Sequence, residues 1–372
     1  MKSHLHIAFF GSSLVSMFWN GAATYCRGII RALAKRGHRV TFYEPDAQDH
    51  HLRRDMADPD WAKVVVYRGN SPQSALSAVQ QARDADLIVK TSSIGVYDDL
   101  IEAAVLDLKR PGNLVLLWDF DAPATLERVA HSFSDPFRRL VRRYDLVITY
   151  GGGPAVIDGY KALGASRCVP IYNAVEPSTH FPAQSDPRFT SDLGFFGNRL
   201  PDRESRMDQF FLGAARLLPE RTFLLGGSGW GERTLPDNVN YAGYIYPSSH
   251  NAFNSTPTAI LSICRESLAR HGYAPSTRIF EAAGAGACLI SDAWDGLELF
   301  LEPGKEILVA RTGAEIAQHL EDLDGHRAAA IGAAARARIL AHHTYAHRVA
   351  QLEAELEGNR FDEARPVGVA ET

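Results

Sequence analysis

Short apolar runs recur along the chain and alternate with stretches whose apolar positions repeat at helical spacing. In the first half the runs are LHIAFF, RVTFYE, KVVVYR, DLIVKT, NLVLLW, DLVITY and RCVPIY. Runs of this length, apolar throughout and bounded by turn residues, predict strands buried on both faces, as in parallel sheets covered by helices. A second series follows: LGFFG, TFLLGG, VNYAGY, TAILSI, ACLISD and EILVA. Helices are predicted between the runs, over 22–35, closed by Arg36-Gly37-His38, and over 74–83. The chain ends in helical sequence over 314–323, 328–340 and 345–356, and the last residues carry no period and read as frayed.

The alternation breaks once. IYNAVEPSTHFPAQSDPRFTSD packs three prolines among Asn, Ser, Thr and Asp with no sustained period, so 173–192 reads as a linker. The predicted organisation is an α/β domain over 1–172, the linker, and a second α/β domain over 193–345. A helix over 346–357 packs back on the first domain, and 358–372 is a tail. Ligands of doubly wound sheets bind beyond the carboxyl ends of the strands, so the function is expected between the two halves.

The 372 residues exceed what one core ordinarily holds, and 45% hydrophobic with 22% charged residues is the balance of a globular protein. The formal net charge of −5, without a long basic run, gives no electrostatic footprint for nucleic acid or an anionic membrane. Cys26, Cys168, Cys264 and Cys288 are widely spaced, which argues against a zinc knuckle or a disulfide framework. No run approaches the ~18 apolar residues of a membrane span, and the expected location is the cytoplasm.

Candidate chemistry concentrates in HGYAPSTRIFEAAGAGACLISDAWDGLE, at 271–298, which reads as a helix start, a small-residue helix and a buried strand. Pro275 suits a first helical turn, and the hydroxyls of Ser276 and Thr277 suit its cap. Free amides at such an end attract anions. Arg278 and Glu281, three apart, share a face: a cation suited to a diphosphate and a carboxylate suited to ribose hydroxyls, or else a solvated ion pair. His271, just before Gly272, is a titratable candidate, although a lone histidine is more often structural. In GFFGNRLPDRESR, Arg199, Arg203 and Arg206 flank a strand end and a helix start, where guanidinium groups neutralise a departing diphosphate or pair with Asp202 and Glu204.

On the first half, GSSLVSMFWNGAATYCRG forms a loop and a helix starting near Gly21, with Asn20-Gly21 as a turn signal. The spacing is not G-x-G-x-x-G, which disfavours a nicotinamide dinucleotide. Asp119 and Asp121 follow the run NLVLLW; either Asp121 acts on an acceptor hydroxyl as base, or it caps the following helix. No further carboxylates complete a metal site, and no metal is expected. Gly151-Gly152-Gly153 and Gly226-Gly227-Ser228-Gly229 read first as tight turns.

Together these pieces resemble the GT-B glycosyltransferases, and most closely their CgeB-like (spore-maturation protein) branch. The resemblance is carried by GFFGNRLPDR, by GYAPSTRIFEAAGAGACLISDAWDGLELFLEPGKEILVA, by HHTYAHR and by the interdomain IYNAVEP. The first half matches through GSSLVSMFWNGAATYCRGIIRALAKRGHRVTFYEPD. It implies two Rossmann-like, doubly wound parallel-sheet domains facing a central cleft. It also implies transfer of a hexosyl group from a UDP- or dTDP-sugar to a small-molecule, glycan or protein acceptor, without an obligatory cofactor. Carried onto this chain, Glu281 binds ribose, Ser276 and Thr277 form the diphosphate loop, Arg199 and Arg203 are the diphosphate cations, and Asn20 and Gly21 face donor and acceptor. Tyr273 stands where many retaining relatives carry a sugar-contacting glutamate, and the lysine that often follows the diphosphate arginine is missing, with Arg203 or Arg206 as its substitute. An epimerase or hydrolase, or a non-catalytic nucleotide-sugar sensor, would use the same architecture.

Overall fold

The computed structural model describes residues 4–15, 22–46, 54–92 and 96–363. The chain divides into two compact units, Met1–Tyr172 with Tyr345–Thr372, and Asn173–Thr344, so the proline-rich stretch 173–192 groups with the second.

The first unit is built on seven parallel strands: β1 His6–Phe10, β2 Arg39–Asp46, β3 Lys63–Arg68, β4 Leu87–Ser92, β5 Leu114–Asp119, β6 Leu146–Thr149 and β7 Cys168–Pro170. Their order is β3-β2-β1-β4-β5-β6-β7. The second unit has β8 Leu193–Phe196, β9 Phe223–Gly226, β10 Val239–Gly243, β11 Ala259–Ser262, β12 Leu289–Asp292 and β13 Leu308–Ala310, in the order β10-β9-β8-β11-β12-β13. Each sheet starts at its centre, runs to one edge and returns to the other. The order therefore reverses between β1 and β4 and again between β8 and β11, and such switch points open a crevice at the carboxyl ends of the strands.

Every apolar run of the sequence became a strand; the central strands are buried, whereas the edge strands β3 and β10 are largely exposed, since each has a neighbour on one side only. All six residues of β5 and all four of β11 are buried. The helix Ala22–Lys35 buries Tyr25, Cys26, Ile29, Ile30 and Leu33, and ends at Gly37, whose φ of +89° closes the helix. Boundaries differ from the sequence reading where caps decide them. Pro72–Gln81 starts earlier than 74 because the Ser71 side chain accepts from Ser74 N–H and Pro72 occupies the first turn. Asp324 likewise starts Gly325–His342 early by accepting from Arg327 N–H. The last helix, Tyr345–Glu363, runs past 356 instead of fraying there. It packs on Ala22–Lys35: the Tyr345 ring lies over Gly28, and Glu353 accepts from Arg36 and, at 2.9 Å, from His38 Nε2. All four cysteines are free and buried.

Candidate functional site

β8 ends at Phe196, and the chain runs through Gly197-Asn198-Arg199-Leu200 into the helix Pro201–Gln209. The glycine loop after β9 braces this turn. Gly227 has φ +120°, and a Cβ there would lie 2.3 Å from Gly197 O. Trp230 Nε1 donates to Gly197 O at 2.8 Å, Ser228 N–H to Asn198 Oδ1 at 2.9 Å, and Arg199 N–H to Ser228 O at 2.9 Å. The loop 226–229 thus fixes where β8 hands over to its helix.

Two arginines from different helices converge on that turn. Arg203 and Arg278 both stand over the Phe195 ring, their guanidinium carbons 5.9 and 5.0 Å from its centroid. Arg278 Nε donates to Phe196 O and Arg203 Nη1 to Asn198 O. A Cβ on Gly197 would lie 2.7 Å from Arg278 Nη2 and 3.1 Å from Arg203 Nη1, so glycine leaves room for both groups. Neither arginine pairs with a carboxylate among the described residues, and Arg203 Nε and Arg278 Nη1 are buried without a hydrogen-bond partner there. Burial lowers the pKa of both; the charge of Arg278 adds to the effect at Arg203, while Glu281 opposes it at Arg278. A desolvated guanidinium pair with orphaned N–H groups is costly, and the Phe195 face and one backbone carbonyl for each arginine offset it only in part. It sits at the β8/β11 switch point, where an anion would satisfy both groups at once.

The neighbouring arginines are already engaged. Arg206 donates to Asp292 Oδ2 at 2.5 Å and to Glu266 Oε2 at 3.2 Å, and Asp292, wholly buried at the end of β12, also accepts Cys264 N–H at 3.1 Å. Arg206 thus forms an ion pair with the buried Asp292 and the more exposed Glu266. Arg199 pairs with Glu204 at 2.5 Å, and Glu204 also holds Arg233 at 3.2 Å. Arg278, rather than Arg199, is the arginine that stands beside Arg203 over Phe195. The reason is local, because a side chain early in a helix leans toward its N-terminus, which carries Arg278 back to the end of β8, while Arg199 lies next to the carboxylate of the adjoining first turn.

The helix Thr277–Gly284 starts at Ser276, which has extended dihedrals but makes no side-chain cap. Its hydroxyl lies 3.2 Å from that of Ser262, the last residue of β11, and ties the helix start to the strand end. The expected hydroxyl cap at Ser276 is corrected accordingly, and its oxygen leaves the first-turn amides alone. Pro275 is buried and its carbonyl accepts Asn173 Nδ2 at 3.1 Å. Tyr273 holds φ +50°, donates to Asp295 O at 2.6 Å and covers Gly296, itself at φ +88°. Such strain persists only where the surroundings over-determine it, and it clusters at ligand clamps. His271 is exposed, with Nδ1 2.8 Å from Ser267 O of its own helix. Glu281 Oε1 lies 3.7 Å from His180 Nε2, and His250, lowered in pKa by burial against the opposing charge of Glu281, packs on Phe196 at 4.6 Å between ring centroids. No sequence signal links these histidines to Glu281; His180 comes from the proline-rich stretch and His250 opens a short helix.

In the first unit, Asp119 ends β5 and is wholly buried, accepting from Tyr160 OH, Ser92 OH and, at 2.9 Å, Asp121 N–H. Asp121 precedes the helix Ala122–His131 as its N-cap residue but makes no side-chain cap bond. Gly152, at φ +103° against Val156, makes a tight structural turn. Asn20 and Gly21 lie outside the described residues. Among the described residues no group of three or more His, Cys, Asp or Glu side chains could hold a metal, and no helix is long and apolar enough to cross a membrane. A groove of about 1210 Å³ lined by Arg31, Arg39, Trp61, Lys63 and Arg83 opens at the amino ends of β1–β3, the edge opposite to that where doubly wound sheets take ligands.

The sequence profile of the Glycosyl transferase-like family matches residues 203–354, a span that includes Arg203, Arg278 and Glu281. No curated protein matches the chain in sequence. Solved structures match it over nearly its whole length. HepE (Alr3699) of Anabaena, in complex with UDP and glucose, is 16% identical with a TM-score of 0.66, over 95% of this chain and 100% of that one. Sucrose-phosphate synthase (tll1590) of Thermosynechococcus elongatus is 15% identical with a TM-score of 0.68, over 96% and 100%. An alpha-glucosyltransferase in complex with UDP-glucose and DNA containing an abasic site is 12% identical with a TM-score of 0.67, over 95% and 99%. The two parallel-sheet units therefore have the GT-B glycosyltransferase fold.

Proposed function

We propose that this chain is a glycosyltransferase that moves a hexosyl group from a UDP- or dTDP-sugar to a hydroxyl or amine of a small molecule, glycan or protein, without an obligatory metal, and that it belongs to the CgeB-like branch. The observation that carries the reading is the pair of buried Arg203 and half-buried Arg278 over Gly197, which has two buried, orphaned N–H groups and lies beside the start of the helix Thr277–Gly284. A diphosphate supplies the missing anion. The two guanidinium groups and the first-turn amides of that helix stabilise the charge that grows as the bond from the sugar C1 to the diphosphate oxygen breaks. Glu281, with Oε1 near His180, accepts from the ribose hydroxyls. HepE of the same fold is held in complex with UDP-glucose, which supports a uridine donor.

In an inverting route the acceptor oxygen attacks C1 while Asp121 takes its proton, and the nucleoside diphosphate leaves. In a retaining route the departing diphosphate takes the proton and Asp121 orients the acceptor. One solved relative of this fold holds DNA, but the net charge of −5 here speaks against a nucleic-acid acceptor. The test is thermal-shift titration with UDP-, dTDP- and GDP-sugars, since a ligand that binds the native state raises its apparent stability. One of the UDP- or dTDP-sugars is expected to raise Tm in the wild type and not in Glu281→Ala. If none shifts the wild type, the reading is wrong.

A further inference from the structure

Asp119 is a carboxylate with no exposure, yet no cation is paired with it among the described residues. Such a group is retained at a cost unless donors surround it. Three do, and each comes from a different place. Tyr160 OH, from the helix Pro154–Ala162, meets Oδ2; Ser92 OH, from the end of β4, meets Oδ1; and Asp121 N–H, two residues on, meets Oδ1 at 2.9 Å. Ser92 Oγ also accepts Phe120 N–H at 3.0 Å, so the same hydroxyl holds both the carboxylate and the turn behind it. Every backbone N–H between β5 and the helix Ala122–His131 is thus fixed by Asp119 or Ser92. The helix start relies on this turn, because Asp121 contributes no side-chain cap, while its carbonyl accepts Thr125 N–H at 3.0 Å. The arrangement sets the backbone of Asp121 from below.

We propose that Asp119, Tyr160 and Ser92 form a positioning network that sets the carboxylate of Asp121 for the acceptor, so that Asp119 and Tyr160 are positioning residues of the transfer reaction without touching either substrate. The inference rests on the reading of Asp121 as the acceptor-side carboxylate. Asp119 is the hub because it alone reaches all three partners. Tyr160 is its tether: burial and the Asp119 charge both raise the tyrosine pKa, so its hydroxyl keeps its proton and remains a donor.

The experiment measures full-length wild type, Asp121→Asn, Tyr160→Phe, Ser92→Ala, Asp119→Asn and Asp119→Ala in two ways. One is hydrogen–deuterium exchange of the segment 119–126; the other is UDP release from UDP-glucose with water as acceptor. Tyr160→Phe and Ser92→Ala each remove one donor and are expected to speed exchange in 119–126 at least tenfold. They should also lower kcat about tenfold, with the KM for UDP-glucose and the thermal shift by UDP unchanged. Asp119→Asn keeps an oxygen for Asp121 N–H and should retain more activity than Asp119→Ala, again with the KM for UDP-glucose unchanged. Loss of folding in Tyr160→Phe leaves Ser92→Ala to decide. The network is overturned if the folded variants exchange and turn over like wild type while Asp121→Asn is inactive. If Asp121→Asn is itself fully active, the acceptor role of Asp121 fails instead, and the exchange result still reports on the network.

Discussion

Arg203 Nη1 and Arg278 Nη2 close over the α-carbon of Gly197, and both guanidinium groups lie against the ring of Phe195. Residues from two helices bring like charges together where no carboxylate separates them among the described residues. In a protein interior that arrangement opposes stability unless an anion completes it.

Removing one of the two charges should therefore separate stability from binding. Arg278→Met keeps a long apolar stem on Phe195 and deletes an uncompensated charge, so the ligand-free protein should melt at or above the wild-type temperature. The same variant should lose at least tenfold in UDP affinity, about 1.4 kcal/mol, while uridine, which lacks the diphosphate, binds as before. Calorimetric titration with both ligands reads the difference. Native UDP affinity in the variant would show that the pair serves no diphosphate.

Gly197→Ala tests the same crevice from the backbone side. The added methyl would meet Arg278 Nη2 at 2.7 Å and Arg203 Nη1 at 3.1 Å, and flexible guanidinium groups give way more readily than backbone. Folding should survive with a loss of about 1–3 kcal/mol, the usual scale of overpacking. The displaced cations should bind UDP at least tenfold more weakly. A variant with full UDP affinity would place the anion elsewhere.

The sheets were legible because strands buried on both faces leave continuous apolar runs, such as NLVLLW for β5 and TAILSI around β11. Helix ends were less legible, since Ser71 and Asp324 act through single side-chain bonds that a periodicity cannot register. At the candidate site, the motif around Ser276 and Glu281 lies on the helix that also carries Arg278. The partnership between Arg203 and Arg278 depends on how two helices converge on β8, and a sequence holds no record of which arginine a neighbouring glutamate captures. Arg199 went to Glu204 for that reason. His180 and His250 reach Glu281 only through the tertiary fold, so spacing could not have found them.

Arg206 offers a contrast with Arg278 that isolates the role of a buried partner. Its guanidinium is the cation paired with Asp292, which has no exposure. Arg206→Met would leave that carboxylate buried and unpaired, a change that costs about 3–5 kcal/mol. Urea unfolding should show this large loss for Arg206→Met and none for Arg278→Met. An Arg206→Met protein as stable as the wild type would mean that Asp292 does not need its partner.

Glu102 gives the first unit a pH dependence of its own. It lies on the helix Asp98–Ala104, buried, and burial pushes its carboxyl up to about 7, against the favourable charge of Lys90 and with Asp98 and Asp99 adding to the rise. An unfolded glutamate titrates near 4.5. The folded state therefore holds the proton more tightly, so the associated stability is complete below about pH 4.5 and is lost as pH rises through about 7. The size is on the order of 3 kcal/mol, since one pKa unit is about 1.4 kcal/mol. Glu102→Gln mimics the protonated form, so its stability should vary less over that window and should exceed wild type at pH 8. Amide exchange within Asp98–Ala104 at pH 5 and pH 8 follows this unit directly. Parallel pH responses in the two proteins would mean that Glu102 carries its charge in the folded state without penalty, and that the buried Lys90 already balances it.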